Sequence, residues 1–217
     1  YKPPNTLKLA SNYFVGFAQL TERYLALNDP ENAVRATWGA LTMTSAGLDN
    51  RQLIYQIFAT RKYIEEISQF MDWEFSRPGV LNGTEGQVAD RLYLCYLLKQ
   101  LGEGERASEY IQSEEARIDS RSFEARYAFT VELARTNLYD ESYAYLTELS
   151  HDYPQSQGTL ELLMAIAHAI GKYEEALAAA NRLVELDSSS KEYRDTRDSL
   201  MSLINSEGAG DSLSPSP

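Results

Sequence analysis

The hexapeptide Gly171-Lys172-Tyr173-Glu174-Glu175-Ala176 has three relatives in this chain, and their spacing constrains the fold more than any other feature. They are Asn137-Leu138-Tyr139-Asp140-Glu141-Ser142, Gly102-Glu103-Gly104-Glu105-Arg106-Ala107 and Asn28-Asp29-Pro30-Glu31-Asn32-Ala33. Their first residues stand 34 residues apart (137 to 171), 35 (102 to 137) and 74 (28 to 102), the last fitting two units plus an insertion. A period near 34 marks stacked helical hairpins, each too small to bury its apolar face alone. The hexapeptide has the chemistry such a hairpin needs. Gly or Asn tolerates the left-handed backbone that ends one helix. The acidic residues favour the N-terminus of the next helix, and the final Ala or Ser lets the two helices approach closely.

Apolar periodicity places helices between these turns. Leu9, Tyr13, Phe17, Leu20, Tyr24 and Leu27 form one face over about 6–27, after an extended lead-in at 1–5. Asp29 and Pro30 suit the cap and first position of a second helix, which stops near 45–47. A less regular pair follows over about 50–60 and 62–75, and residues 77–83 are the clearest internal break. Thr84 with Gln87 reads as a capping box, and the sequon Asn82-Gly83-Thr84 reads as part of the turn. Regular pairs are then expected at 85–101 with 105–118, 123–136 with 140–150, and 159–170 with 173–186. A segment over 191–204 has the polar outer face of a terminal cap. From Asn205 the composition is that of a disordered tail or linker. The domain expectation is one array over 6–204, irregular at 46–83, with no strands.

With 20 Lys and Arg against 32 Asp and Glu, the chain carries a net charge of −12. Such a field repels phosphates, so nucleic acid and anionic membrane surfaces are not expected partners. No run approaches the roughly 20 apolar residues of a membrane span. Cys95, the one cysteine, precludes an internal disulfide or multi-cysteine metal site, and its apolar surroundings predict an inert buried thiol.

On the repeated hexapeptide and its period, the chain resembles the tetratricopeptide repeat (TPR) family, whose unit carries W-x2-L-G-x2-Y, then A-x3-F, then P. The matching positions of the last unit are Leu160, Leu163, Met164 and Ala167, then Ala176 and Ala180, with Ser188 where the proline is usual. The preceding unit keeps Ser142, Leu146 and Pro154. The likeness fades over 46–80, where Glu66 or Ile67 replaces the small residue. The resemblance implies an all-α fold, a right-handed superhelical array of antiparallel helix pairs (a TPR-like α-solenoid) with a C-terminal capping helix. It also implies a concave groove, lined by the first helices, that holds an extended peptide or a partner's helix.

Carried over position by position, the groove-facing places are Ala18, Glu22 and Leu25; Leu92, Tyr96, Lys99 and Gln100; Tyr127, Val131 and Arg135; and Glu161, Ala165 and His168. Tyr96, Lys99, Tyr127, Arg135 and His168 are the expected peptide contacts, since aromatics beside cations suit peptide backbone and carboxylate. Tyr96 and Tyr127 read equally well as core between repeats. The family's chaperone-tail binders use Lys and Asn at positions that are here Ala18/Glu22, Leu92/Tyr96, Tyr127/Val131 and Glu161/Ala165, so that specificity is not expected.

Catalysis is not expected, nor any cofactor or metal. Only His151 and His168 could serve as a base, neither has a histidine partner at metal-ligand spacing, and no glycine loop could cradle phosphate. The adjacent acids Glu65-Glu66, Glu114-Glu115 and Glu174-Glu175 diverge around their helices and read as solvated faces. The leading expectation is therefore a non-catalytic protein–protein interaction scaffold. The alternative is an accessory domain of a larger, membrane-embedded bacterial protein. The opening Tyr1-Lys2-Pro3-Pro4-Asn5-Thr6-Leu7, which lacks Met, is similar to the soluble C-terminal tails of bacterial multi-pass glycosyltransferase-like membrane proteins. Compartment stays open between cytoplasmic and membrane-attached. Tyr13, Phe14 and Phe17 on an uncapped first helix leave a homo-oligomer open.

Overall fold

Five described residues take the left-handed backbone: Asn28, Lys62, Gly102, Asn137 and Gly171, at φ of 57°, 61°, 92°, 62° and 77°. Each ends one helix and aims the chain back along it. The computed structural model describes residues 4–43, 48–76 and 85–210. Within them run eleven helices and no strand: α1 (Pro4–Ala26), α2 (Pro30–Met43), α3 (Leu48–Thr60), α4 (Ile64–Ser76), α5 (Glu85–Gln100), α6 (Gly104–Glu115), α7 (Phe123–Arg135), α8 (Tyr139–Asp152), α9 (Gln157–Ala169), α10 (Tyr173–Leu186) and α11 (Lys191–Gly210).

The five turns share one hydrogen-bond pattern. The residue after the left-handed position donates its N–H to the carbonyl five residues back: Asp29 to Tyr24, Tyr63 to Phe58, Glu103 to Leu98, Leu138 to Leu133 and Lys172 to Ala167, at 2.8–3.1 Å. The left-handed residue donates to the carbonyl three back, as in Gly171 to His168 at 3.1 Å. This is the Schellman closure, which satisfies the last carbonyls of a helix. Four residues on, the first bond of the second helix forms from Ala33, Ile67, Ala107, Ser142 and Ala176. All five of these side chains are fully buried.

The turn at Lys62 resolves the long step of the sequence pattern. The turns follow at 34, 40, 35 and 34 residues (28 to 62, 62 to 102, 102 to 137, 137 to 171), so the insertion lies between Lys62 and Gly102. Lys62-Tyr63-Ile64-Glu65-Glu66-Ile67 is the missing copy, with Ile67 at the small-residue position. The first helices of later pairs start on a second periodic signal. Ser122 Oγ accepts from the Ala125 N–H at 3.1 Å, Ser156 Oγ from Thr159 at 3.4 Å, and Ser190 Oγ from Tyr193 at 3.3 Å. These N-caps fall 34 residues apart, so α11 opens as the first helix of another pair.

The chain divides into two compact units, Tyr1–Glu115 and Ala116–Pro217. In the first, α1 packs on α2, α3, α4 and α5 pack on one another, and α6 packs on α5. Its core is aromatic: Phe70 lies edge-on to Trp38 and Phe58, with ring centroids 5.2 and 5.0 Å apart. Gly39 faces the ring of Phe17, and a Cβ there would come within 2.6 Å of it. In the second unit, α7, α8, α9, α10 and α11 each pack on the next, and α7 also meets α9. Its core is aliphatic, with Leu146, Leu163, Ile166 and Ala179 in one cluster. Ala167, Ala176, Ala180 and Leu200 form the next.

Several boundaries differ from those expected. Pro4 opens α1, inside the expected lead-in, because proline suits a first helical turn. The cap helix runs past Ile204 to Gly210; the chain after Ile204 holds no proline before Pro215 to stop it. The capping box, the sequon and the break at 77–83 lie outside the described residues.

Candidate functional site

In the second unit, successive first helices are tied along one face. Tyr127 on α7 stacks on Phe123, with centroids 5.7 Å apart and planes 14° apart, and its hydroxyl donates to the Gly158 carbonyl on α9 at 3.4 Å. Gly158 permits this approach, since a Cβ would stand 3.2 Å from that hydroxyl. One repeat on, Tyr193 of α11 donates its hydroxyl to Glu161 Oε1 on α9, while Gln157 Nε2 donates to both partners. Tyr127 and Glu161 are thus equivalent residues used to bind the next first helix.

The hydrogen bonds set the charge state of that clasp. Donation from Tyr193, then from Gln157, holds the Glu161 carboxyl below the usual carboxylate range against the opposing effect of burial. The Tyr193 phenol is pushed up, first by its bond to Glu161 and then by burial. At neutral pH the pair is therefore a phenol donating to a carboxylate.

The expected contact residues fall in both units. Arg135 and His168 occupy the last turns of α7 and α9, and the Arg135 charge complements the dipole of its helix. Arg135 is exposed and meets Glu132 at 3.0 Å. His168 is exposed, with its ring 5.6 Å from that of Tyr173. Ala165, one turn before His168, is also exposed, while Tyr127 is committed to the α7–α9 packing. In the first unit, Tyr96 is half-buried with its ring 5.9 Å from Tyr93, and Lys99 is half-buried in the last turn of α5. Leu25 and Leu92, expected on the groove, are buried core residues.

His151 is exposed at the end of α8, 3.7 Å from Asp152, whose carboxyl is held low chiefly by a hydrogen bond from Arg126. A shallow cleft nearby is lined by Phe123, Asp152, Tyr153, Pro154, Gln155 and Ser156. Among the described residues no three His, Cys, Asp or Glu side chains are grouped so as to hold a metal ion, and no helix is long and apolar enough to cross a membrane.

The first unit contains something the periodicity did not indicate, a set of buried charges. Arg51 on α3 contacts Glu74 on α4 at 3.1 Å and Asp90 on α5 at 3.3 Å, and Tyr55 donates its hydroxyl to Glu74 at 2.9 Å. Burial, followed by the nearby Glu74 and Asp90 carboxylates, pushes the Tyr55 phenol well up, so it remains a donor. Arg91 on α5 grips Glu114 on α6 through two bonds of 2.7 and 2.6 Å. All five charged groups are buried. In the second unit, by contrast, the described buried polar residues are Thr130, Thr136, Ser142, Ser150 and Thr159, none charged.

Common turns, recurrent caps and ties between first helices define an all-α protein of tandem antiparallel helix pairs. The pair resembles the tetratricopeptide repeat hairpin, diverging from it in the first-helix aromatics and in the turn residue Lys62 of the first unit. No family model and no curated protein matches the sequence. Solved structures similar to it include YrrB, a TPR protein with an unusual peptide-binding site, at 15% identity, covering 84% of this chain and 90% of that one with a TM-score of 0.35. A tetratricopeptide repeat protein from Parabacteroides merdae is similar at 12% identity, 93% and 77% coverage and a TM-score of 0.39. MamA from Desulfovibrio magneticus is similar at 14% identity, 94% and 98% coverage and a TM-score of 0.36. The repeat reading rests on the chain's own turns and caps.

Proposed function

We propose that this chain is a non-catalytic protein–protein interaction scaffold that binds a peptide or a partner helix along the first helices of its pairs. The observation that carries the reading is the tying of α7, α9 and α11 through Tyr127, Gly158, Glu161 and Tyr193. Those bonds fix the spacing of adjacent first helices and occupy the polar groups between them. Arg135, Ala165 and His168 then stand exposed on a preset surface, and a preset surface binds with less ordering cost. Arg135 supplies a cation for a partner's carboxylate or backbone carbonyl, and Ala165 leaves room for close approach. In the first unit Tyr96 and Lys99 have the corresponding role.

The test is selection from a displayed peptide library against the whole chain, followed by affinity measurements on the Lys99→Glu, Arg135→Glu and His168→Glu variants. Each side chain lies on a helix surface or rim, so the circular dichroism of all three should match the parent. The reading expects Arg135→Glu to weaken the selected peptide at least tenfold. Unchanged affinity in all three variants would remove the first-helix assignment.

A further inference from the structure

Arg91 and Glu114 are separated by 23 residues, and so are Arg51 and Glu74. Each arginine lies the same distance before its left-handed turn residue, Gly102 or Lys62, and each glutamate the same distance after it. The two ion pairs are therefore one structural position in successive hairpins, at the end away from the turn. The same frame in α9 and α10 selects Leu160 and Leu183, which pack together in an apolar cluster. In α7 and α8 it selects Arg126 and Leu149, and the arginine reaches one turn further on, to Asp152 at 2.7 Å. In α1 and α2 it selects Phe17 and Ala40.

One position is thus filled by buried ions in two hairpins and by leucines in another. Stability alone does not call for the ions, because an apolar pair fills the same place and buried ion pairs seldom outperform one. They differ in what they exclude. A leucine tolerates any apolar neighbour, whereas Arg91 seated against a helix carrying leucine there would bury a guanidinium without its carboxylate. Arrays of similar hairpins are prone to exchanging helices within and between chains.

We propose that the Arg51–Glu74 and Arg91–Glu114 pairs are matching elements that make α3 and α5 accept their own second helices and reject those of leucine-type hairpins. The two ionic hairpins are further told apart by what surrounds each pair. Tyr55 adds a bond to Glu74, while the corresponding place on α5 is held by buried Cys95. Asp90 reaches Arg51 from the next first helix, which fixes the order of α3 and α5.

The test is refolding of the full chain by dilution from urea at tens of micromolar, analysed by size-exclusion chromatography. R91L/E114L copies the Leu160–Leu183 solution. It is expected to keep a urea midpoint at or above the parent's, yet to return at least twofold less monomer, the remainder being dimers and larger species. The reversed pair R91E/E114R is expected to refold as monomer like the parent, while R91E alone does not. Parental monomer recovery by R91L/E114L overturns the proposal. So does an R91E/E114R variant that recovers no better than R91E, a comparison that stands even if the leucine variant does not fold.

Discussion

Lys62 and Gly171 hold the same left-handed backbone, at φ 61° and 77°, and close their helices with the same bond from the following N–H to the carbonyl five residues back. Glycine carries no steric cost in that conformation, whereas a residue with a Cβ loses roughly 1–2 kcal/mol. Lys62→Gly should therefore raise the stability of the first unit by about 1 kcal/mol, after allowing for the greater freedom of glycine in the unfolded chain. Gly171→Ala should lower that of the second by a similar amount. Urea denaturation would read both as opposite shifts in midpoint.

Ala176 is fully buried where α9 meets α10, in a cluster with Ala167, Ala180 and Leu200. Ala176→Leu inserts three heavy atoms into this contact and is expected to cost about 1–3 kcal/mol. Ser142 holds the same place in its own hairpin and donates its Oγ to the Thr130 carbonyl at 3.0 Å. Ser142→Ala keeps the small volume and should cost about 1 kcal/mol or less. Thermal melts of the two variants should therefore differ clearly, with Ala176→Leu much the lower.

The Glu161–Tyr193 clasp has a defined pH window. The Glu161 carboxyl is lowered in the fold, so its contribution is present above the unfolded carboxylate range and is lost as pH falls through the lower folded value. The Tyr193 phenol is raised, so its contribution is present below the unfolded phenol range and is lost as pH rises through the higher folded value. Protection of α11 amides, corrected for intrinsic exchange, should be highest between these limits and fall at both ends. Tyr193→Phe should lower that protection at neutral pH and leave α8 unaffected.

What the sequence could reveal followed from which residues carry unambiguous backbone chemistry. Gly102, Gly171, Asn28 and Asn137 tolerate a left-handed backbone, and all four turns were legible from them. Lys62 carries no such preference, so apolar periodicity placed a turn between 60 and 62 but the hexapeptide starting there did not register as a copy, although Glu65 and Glu66 repeat the acids at Glu174 and Glu175. Ser122, Ser156 and Ser190 are also periodic, but serine is common enough that their capping role emerges only from the bonds they accept. The buried charges were illegible for another reason: a charged residue on a helix is normally solvated. The available signal was the recurrence of Arg and Glu 23 residues apart across two consecutive turns. Among the expected contacts, Arg135 and His168 are exposed, whereas Tyr127, an aromatic at an expected contact position, serves the neighbouring helix through its bond to Gly158.

The most direct test of the scaffold reading is an amide chemical-shift map of the whole chain titrated with a peptide obtained by displayed-library selection. The largest changes are expected on Val131, Arg135, Ala165 and His168 of α7 and α9, with the exposed Glu148 and Glu185 of α8 and α10 unmoved. Changes concentrated on α8 and α10, with α7 and α9 silent, would contradict it.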